Sequence, residues 1–323
     1  MLLTIAFFSS CEKAEQPVTL PAANDSSRLE TFTMGANYDK QIFVNVETNQ
    51  STVIENNSWD LYFDSDRNGY MAYMNGGKGV LIAKAGTTNF SNIPDPSSLK
   101  FQWDAASGVE DSTALDGWCD ELLFLSYDSV FVIDRGASIT DPSRYMQFQI
   151  TYVDQLKYKL RIANIDGTNS HDFTVNKDPL KAHVYFSFDN GGTYLNPEPE
   201  KNEWHFCFLR YRWVYYQFTP PLLYSVTGIF INSNKVEVAV DSTMKFEDIS
   251  FSKRHNLQFN RNRDAMGFDW KVYNFTTGKY TARKYVNYIL HSDYPTKYYK
   301  LRFLDFYSNQ GLKGTPSFEV QGM

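Results

Sequence analysis

Much of the chain alternates apolar and polar positions with a period of two, the mark of strands that bury one face. In residues 157–162, Tyr158, Leu160 and Ile162 fall on one face and Lys157, Lys159 and Arg161 on the other. Residues 298–303 repeat the pattern, setting Tyr299, Leu301 and Phe303 against Tyr298, Lys300 and Arg302. Trp204, Phe206 and Phe208 likewise oppose His205 and Cys207. One buried and one wet face is what antiparallel sheets tolerate. Turn chemistry separates the runs at Asn75-Gly76-Gly77, Asp166-Gly167, Asn190-Gly191-Gly192 and Thr277-Gly278. There is no convincing long amphipathic helix, and 116–125 is the stretch that reads as a short one. The pattern predicts an all-β fold of antiparallel sheets with few short helices.

The blocks also recur. IFVNVETNQSTVIENNSWDLYF (42–63) is answered by VYFSFDNGGTYLNPEPEKNEWHFCF (184–208), so that Trp59 matches Trp204, Asp60 matches His205 and Phe63 matches Phe208. TTNFSNI (87–93) is answered by STMKFEDI (242–249), and VFVIDRG (130–136) by VYNFTTG (272–278). KYKLRI (157–162) is answered by YYKLRF (298–303), and DFTV (172–175) by SFEV (317–320). Five matches in one order predict two tandem, related β modules, 38–178 and 179–323, joined near Asp178-Pro179. Their period is far too long for a solenoid. Trp59 and Trp204 should then both be core residues.

Ahead of the modules stands an apolar run, Leu2-Leu3-Thr4-Ile5-Ala6-Phe7-Phe8, followed by Ser9-Ser10 and Cys11. An apolar stretch ending in small residues reads as a signal peptide over 1–10. A Cys at the cleavage point reads as a lipidation site, so 11–37 is expected to be a lipidated flexible tether. No later stretch approaches the ~20 apolar residues of a membrane-spanning helix. The high aromatic share, 16% Phe, Trp and Tyr, reinforces strand over helix. A net charge of −6 argues against nucleic acid, which demands a basic stripe. With Cys11 lipidated, Cys119 and Cys207 remain; one bridge between them is conceivable, and spacing does not decide it.

Catalytic motifs are missing: there is no G-x-S-x-G, H-E-x-x-H, C-x-x-C or P-loop, and only five His. The expectation is a binding protein, not an enzyme. His171, His183, His205 and His291 read as turn or strand residues. His255 lies in SKRHNLQFNRNRDAMGFDWK (252–271), a long Arg- and Asn-rich loop that also holds Met266. Imidazole and thioether are both haem-iron ligands, and Arg pairs with propionates. The aromatic run LRYRWVYYQF (209–218) offers Trp213 and Tyr215 for a flat ligand or a sugar ring.

The lipidation signal followed by SWDLYF (58–63), NGG (75–77) and GTTNF (86–90) resembles the HmuY-like haem-binding lipoproteins of Bacteroidetes. GFDWKVYNFTTGKYT (267–281) and KYYKLRFLDFYSNQGLKGTPSFEVQ (297–321) resemble that family more closely. The resemblance implies an all-β surface lipoprotein of the outer membrane that captures haem or a related porphyrin for a TonB-dependent transporter. It also implies axial His or Met ligands between the W-D and K-L-x-F blocks, where His255 and Met266 stand as cofactor- and metal-binding candidates. Residues 101–128 hold neither His nor Met. The alternative is a structural or glycan-binding surface lipoprotein without haem.

Overall fold

A computed structural model describes residues 26–323, apart from 137, 138, 140, 141 and 294. The expected signal peptide, Cys11 and the first part of the tether lie outside the described residues. Strands dominate, and the helices are short 3-10 turns. The chain opens with β1 (Ser27–Thr31), β2 (Lys40–Asn45), β3 (Gln50–Glu55), β4 (Leu61–Asp64), β5 (Ala72–Met74) and β6 (Leu81–Lys84). A small hairpin of β7 (Cys119–Asp120) and β8 (Leu125–Ser126) precedes β9 (Phe131–Asp134), β10 (Tyr145–Val153), β11 (Lys157–Asn164) and β12 (His171–Asn176). Next come β13 (His183–Ser187), β14 (Thr193–Leu195), β15 (Phe206–Tyr215), β16 (Leu222–Ile231) and β17 (Val236–Asp241). A second small hairpin, β18 (Lys271–Asn274) and β19 (Lys279–Ala282), leads to β20 (Asn287–Asp293), β21 (Thr296–Tyr307) and β22 (Lys313–Gly322).

Four larger antiparallel sheets form two sandwiches. The first sandwich pairs an outer sheet, β12-β11-β10-β9-β6, with an inner sheet, β14-β13-β4-β5. Phe63, Val184 and Phe186 pack there against Phe131, Phe148 and Leu160. The second pairs an outer sheet, β1-β22-β21-β20-β17, with an inner sheet, β16-β15-β2-β3. Its core joins Ile42, Phe206 and Phe208 to Leu301, Phe303 and Phe318. Each such fully buried side chain contributes about 1.5–3 kcal/mol of transfer free energy, so these cores are what fix the layers.

The pairing crosses the boundary expected at 178/179. β13 bonds to β4, with Val184 opposite Phe63. β2 bonds to β15, with Phe43 opposite Cys207. Each hairpin that precedes a Trp therefore joins the strand that follows the other Trp. The strand orders of the two sandwiches match one for one, placing β11 opposite β22 and β9 opposite β20. The 157–162 and 298–303 blocks are thus one strand out of step, since 298–303 lies in β21. The 130–136 and 272–278 blocks also diverge, because β18 pairs only with β19. Trp59 and Trp204 are both buried, at 3% and 4% exposure.

Three further expectations are corrected. Residues 27–31, assigned to the tether, form β1 on the edge of β22, and Met34 enters the second core. Residues 116–125 are not helical: Gly117 and Phe124 sit at φ +63° and 53°, left-handed values that form turns. The central strands of the inner sheets are buried on both faces, so His205 and Cys207, placed on a wet face by alternation, are buried as well. Cys119 and Cys207 are free thiols in different clusters. No helix among the described residues is long and apolar enough to cross a membrane.

Candidate functional site

Because each inner sheet spends one face on its own sandwich, its other face is turned toward the other inner sheet. On β4 and β13 that face carries Tyr62, Asp64, His183 and Tyr185; on β2 and β15 it carries Gln41, Phe43, Cys207, Leu209 and Tyr211. The two faces do not close completely. They leave a cavity of about 310 Å³, to which Trp59, Tyr73, Asp104, Glu198, Trp204 and Arg263 also contribute. That volume stands at the lower end of the ~300–1,000 Å³ range of small-molecule sites.

Its walls are aromatic and its polar groups are held in place. Trp59 meets Tyr185 edge to face at 5.2 Å, and Phe43 meets Trp204 at 5.0 Å. The indole of Trp59 donates to Gln41 Oε1 at 3.3 Å, linking the two inner sheets. Arg263 donates to the Ala106 and Ala105 carbonyls at 2.8 and 3.0 Å and to the Tyr62 hydroxyl oxygen. Its guanidinium also lies 4.9 Å from the rings of Tyr73 and Phe230, one from each side of the cavity. Asp104 accepts from the backbone amides of Met74 at 3.0 Å and Ala114 at 2.8 Å.

Glu198 is 1% exposed and bonds through Oε2 to His183 Nδ1 at 2.9 Å and to the Tyr185 hydroxyl at 2.7 Å. Burial opposes charge on His183, but the charge and hydrogen bond of Glu198 outweigh it and raise the imidazole above its ordinary pKa. Burial lifts Asp64 to about 6 and Tyr62 to about 12. Three of the lining residues, Glu198, Trp204 and Tyr211, each carry a buried polar atom with no hydrogen-bond partner among the described residues: Glu198 Oε1, Trp204 Nε1 and the Tyr211 hydroxyl. Buried polar groups are normally paired; these three are among thirteen such atoms spread over the described residues.

The residues singled out from the sequence lie elsewhere. His255 is exposed on a 3-10 turn, Phe251–Asn256, whose Phe251 packs edge-on against Tyr298 on the outside of the second outer sheet. Met266 is 3% exposed in the core beneath the inside of that sheet. Neither lines the cavity. Haem, implied by the motif resemblance, does not fit this pair: the sheet stands between the two, and Met266 reaches iron only if the core opens. Among the described residues no cluster of three or more His, Cys, Asp or Glu is arranged to hold a metal.

The remaining His are accounted for. His291 bonds Glu237 at 2.7 Å and stacks on Tyr298 at 4.3 Å, while His171 is exposed on β12. His205 accepts from the Val46 amide at 3.3 Å, and burial lowers its pKa to about 3. Trp213 packs on Phe268 and Tyr215 near Tyr224; neither lines the cavity. Sequence reasoning passed over Glu198 and reached Arg263 and Tyr211 only as members of the 252–271 loop and the 209–218 aromatic run. They lie far apart along the chain, and only the packing of the inner sheets brings them together.

No protein-family model and no curated protein matches the chain. Among solved structures, apo PinO from Porphyromonas gingivitis aligns with TM-score 0.36 and 10% identity over 93% of this chain and 98% of its own. A provisionally named HmuY-like haem-binding protein from Bacteroides vulgatus aligns with TM-score 0.25 and 9% identity, covering 95% and 97%. A provisionally named lipoprotein from Bacteroides fragilis aligns with TM-score 0.21 and 12% identity, covering 95% of each chain.

Proposed function

We propose that this chain is a lipid-anchored, non-catalytic capture protein whose ligand occupies the cavity between the two inner sheets. The observation that carries the reading is the cavity itself, about 310 Å³ between the two inner sheets, walled by Trp59, Tyr73 and Trp204 and lined by the polar groups His183, Glu198 and Arg263. Haem, suggested by the sequence resemblance, enters the test as a probe; the imidazole lining the cavity is that of His183. Delivery to a TonB-dependent transporter of the outer membrane belongs to the same reading.

The test is a melting-temperature screen of the purified chain with hemin and with the low-mass fraction of a bacterial lysate. A ligand at ~100 times its Kd adds about 2.7 kcal/mol to stability. The expected result is a rise in melting temperature that disappears in Leu209→Trp, which fills the cavity. A rise kept in Leu209→Trp but lost in His255→Ala or Met266→Ala would place the site elsewhere. Attachment is tested separately: Cys11→Ser is expected to move the chain from the membrane fraction to the soluble one and to abolish fatty-acid labelling. Labelling that persists in that variant rules out Cys11 as the anchor.

A further inference from the structure

We propose that the groove between the 75–79 turn and β15 binds a phosphate monoester, held by Arg210 and Arg212. This goes beyond the inter-sheet cavity, which the groove meets at these two arginines, and stands whatever ligand the cavity takes.

β2 pairs with β15 only as far as Phe208. Beyond that point the Asn75-Gly76-Gly77 turn lies so close to β15 that side chains are excluded. A Cβ on Gly77 would stand 2.0 Å from the Arg210 carbonyl oxygen, and one on Gly76 3.2 Å from the Arg212 nitrogen. The groove left between turn and strand is lined by Lys78, Arg210, Arg212 and Ser225, and no carboxylate lines it. Asp64, on the cavity wall, does not reach it.

Two of its three cations have no counter-charge. Lys78 is committed to Asp60 at 2.6 Å. Arg210 donates to the Gly77 carbonyl at 2.6 Å, to the Asn57 side-chain oxygen at 2.8 Å and to the Asn37 carbonyl at 3.4 Å. Arg212 donates to the Val80 carbonyl at 2.8 Å and makes no other hydrogen bond among the described residues. The carboxylates in the neighbourhood are engaged elsewhere or act from a distance. Asp134 takes Arg144 on both oxygens at 2.9 Å, Asp104 takes two backbone amides, and Asp39 acts on Arg210 only through space. Hydrogen bonds to Asp134, Asp172 and Asp293 raise the pKa of Arg144, Arg161 and Arg261, whereas burial lowers that of Arg210 and Arg212.

Arg210 and Arg212 stand two residues apart on one strand, ~7 Å between Cα atoms. Two uncompensated guanidiniums at that spacing call for a compact dianion. A phosphate monoester carries about −1.5 to −2 charges at pH 7 and three strong acceptor oxygens, and the guanidinium fork matches its geometry. A single carboxylate answers one arginine, and a dicarboxylate holds its charges on separate carbons. A small soluble ester and a lipid headgroup both offer the phosphate.

The experiment is calorimetric titration of the purified Cys11→Ser chain, which carries no acyl group, with glycerol 3-phosphate and with succinate at fixed ionic strength. Sedimentation with phosphatidylcholine vesicles, with and without phosphatidic acid, runs alongside. Binding of the soluble ester or of phosphatidic acid is expected. It should weaken at least tenfold, the equivalent of about 1.4 kcal/mol, in Arg212→Met and in Ser225→Asp. Ser225 is exposed and stands opposite Arg212 in the β15–β16 ladder. An aspartate there supplies the missing counter-charge, so this variant should melt no lower than the parent. Arg254→Met, on the 3-10 turn outside the second outer sheet, should bind as the parent does. Sedimentation that needs phosphatidic acid and is lost in Arg212→Met assigns a lipid headgroup; glycerol 3-phosphate binding without it assigns a soluble ester. Absence of both in the folded chain overturns the proposal. So does binding that Arg212→Met and Ser225→Asp leave unchanged, or succinate that binds as tightly as the phosphate.

Discussion

Replacing Asp60 by alanine is expected to cost about 3–5 kcal/mol of folding stability, the usual loss when one partner of a buried ion pair is removed. Asp60 is fully buried and Lys78 and Arg135 nearly so. Its carboxylate accepts from Lys78 Nζ at 2.6 Å, from Arg135 Nε and Nη2 at 3.3 Å, and from the Phe188 amide at 2.8 Å. Asp189, half-exposed, is the other carboxylate on Arg135. Alanine would leave Lys78 without its ion-pair partner, Arg135 with Asp189 alone and an amide unpaired. It would also loosen a junction: Asp60 precedes β4, and Phe188 follows β13, the strand that β4 receives from the other half of the chain. The loss should therefore show as a lower midpoint in urea, read by aromatic fluorescence. Asp60→Ala combined with Lys78→Met and Arg135→Met should recover part of it, because replacing a buried ion group by apolar side chains is often neutral. A change under about 1 kcal/mol for Asp60→Ala would mean that the cluster relaxes into water and does not hold the sandwich. The position matched to Asp60 in the sequence repeat is His205, and there burial keeps the imidazole neutral down to a pKa of about 3. One half of the molecule thus uses an ionic cluster where the other uses an uncharged ring.

The strands were legible where one face is wet. β11 alternates Tyr158, Leu160 and Ile162 inward as its sequence reads, since Lys157, Lys159 and Arg161 stay at the surface. β15 was misread because alternation names two faces but not what covers them. Cys207 and Leu209 face the cavity, and Phe206 and Phe208 the second core, so both sets are buried. Pairing was not legible either. A K-L-R strand pattern fits any half-buried strand, which is why β11 matched β21 in sequence although β22 holds the equivalent place. The same limit governed the site. His255 and Met266 carry the right atoms for iron, but the chemistry of a side chain says nothing about which side of a sheet it occupies. Trp59 and Trp204 were recognised as core positions, and they do flank the cavity. Their partners Glu198, Tyr211 and Arg263 become a site only through the crossed hairpins.

Replacing Lys271 by methionine should stabilise the protein at pH 6, and the gain should shrink as the pH rises. Lys271 is 6% exposed, and burial lowers its pKa from 10.5 to about 7, the charge of Asp269 opposing the shift. Its ammonium donates to the Thr227 carbonyl and lies 4.4 Å from the Trp270 ring centroid and 4.8 Å from that of Phe306. Below pH 7 the group is protonated both folded and unfolded, so the full cost of burying its charge is present. Between pH 7 and 10.5 the folded form sheds the proton while the unfolded form keeps it. The unfolded state then binds more protons, and stability rises with pH by about 1.4 kcal/mol per unit. The shift corresponds to about 5 kcal/mol at pH 6. The ring faces offset about 2 kcal/mol of that, and the carbonyl left unpaired by methionine costs about 1 kcal/mol. A net gain of about 2 kcal/mol is therefore expected at pH 6, falling away toward pH 10. Urea melts of the parent and of Lys271→Met across that range provide the check. Parallel stability curves for the two proteins would show that Lys271 does not change protonation on folding and that the three surrounding rings, Trp270, Tyr280 and Phe306, hold its charge without help.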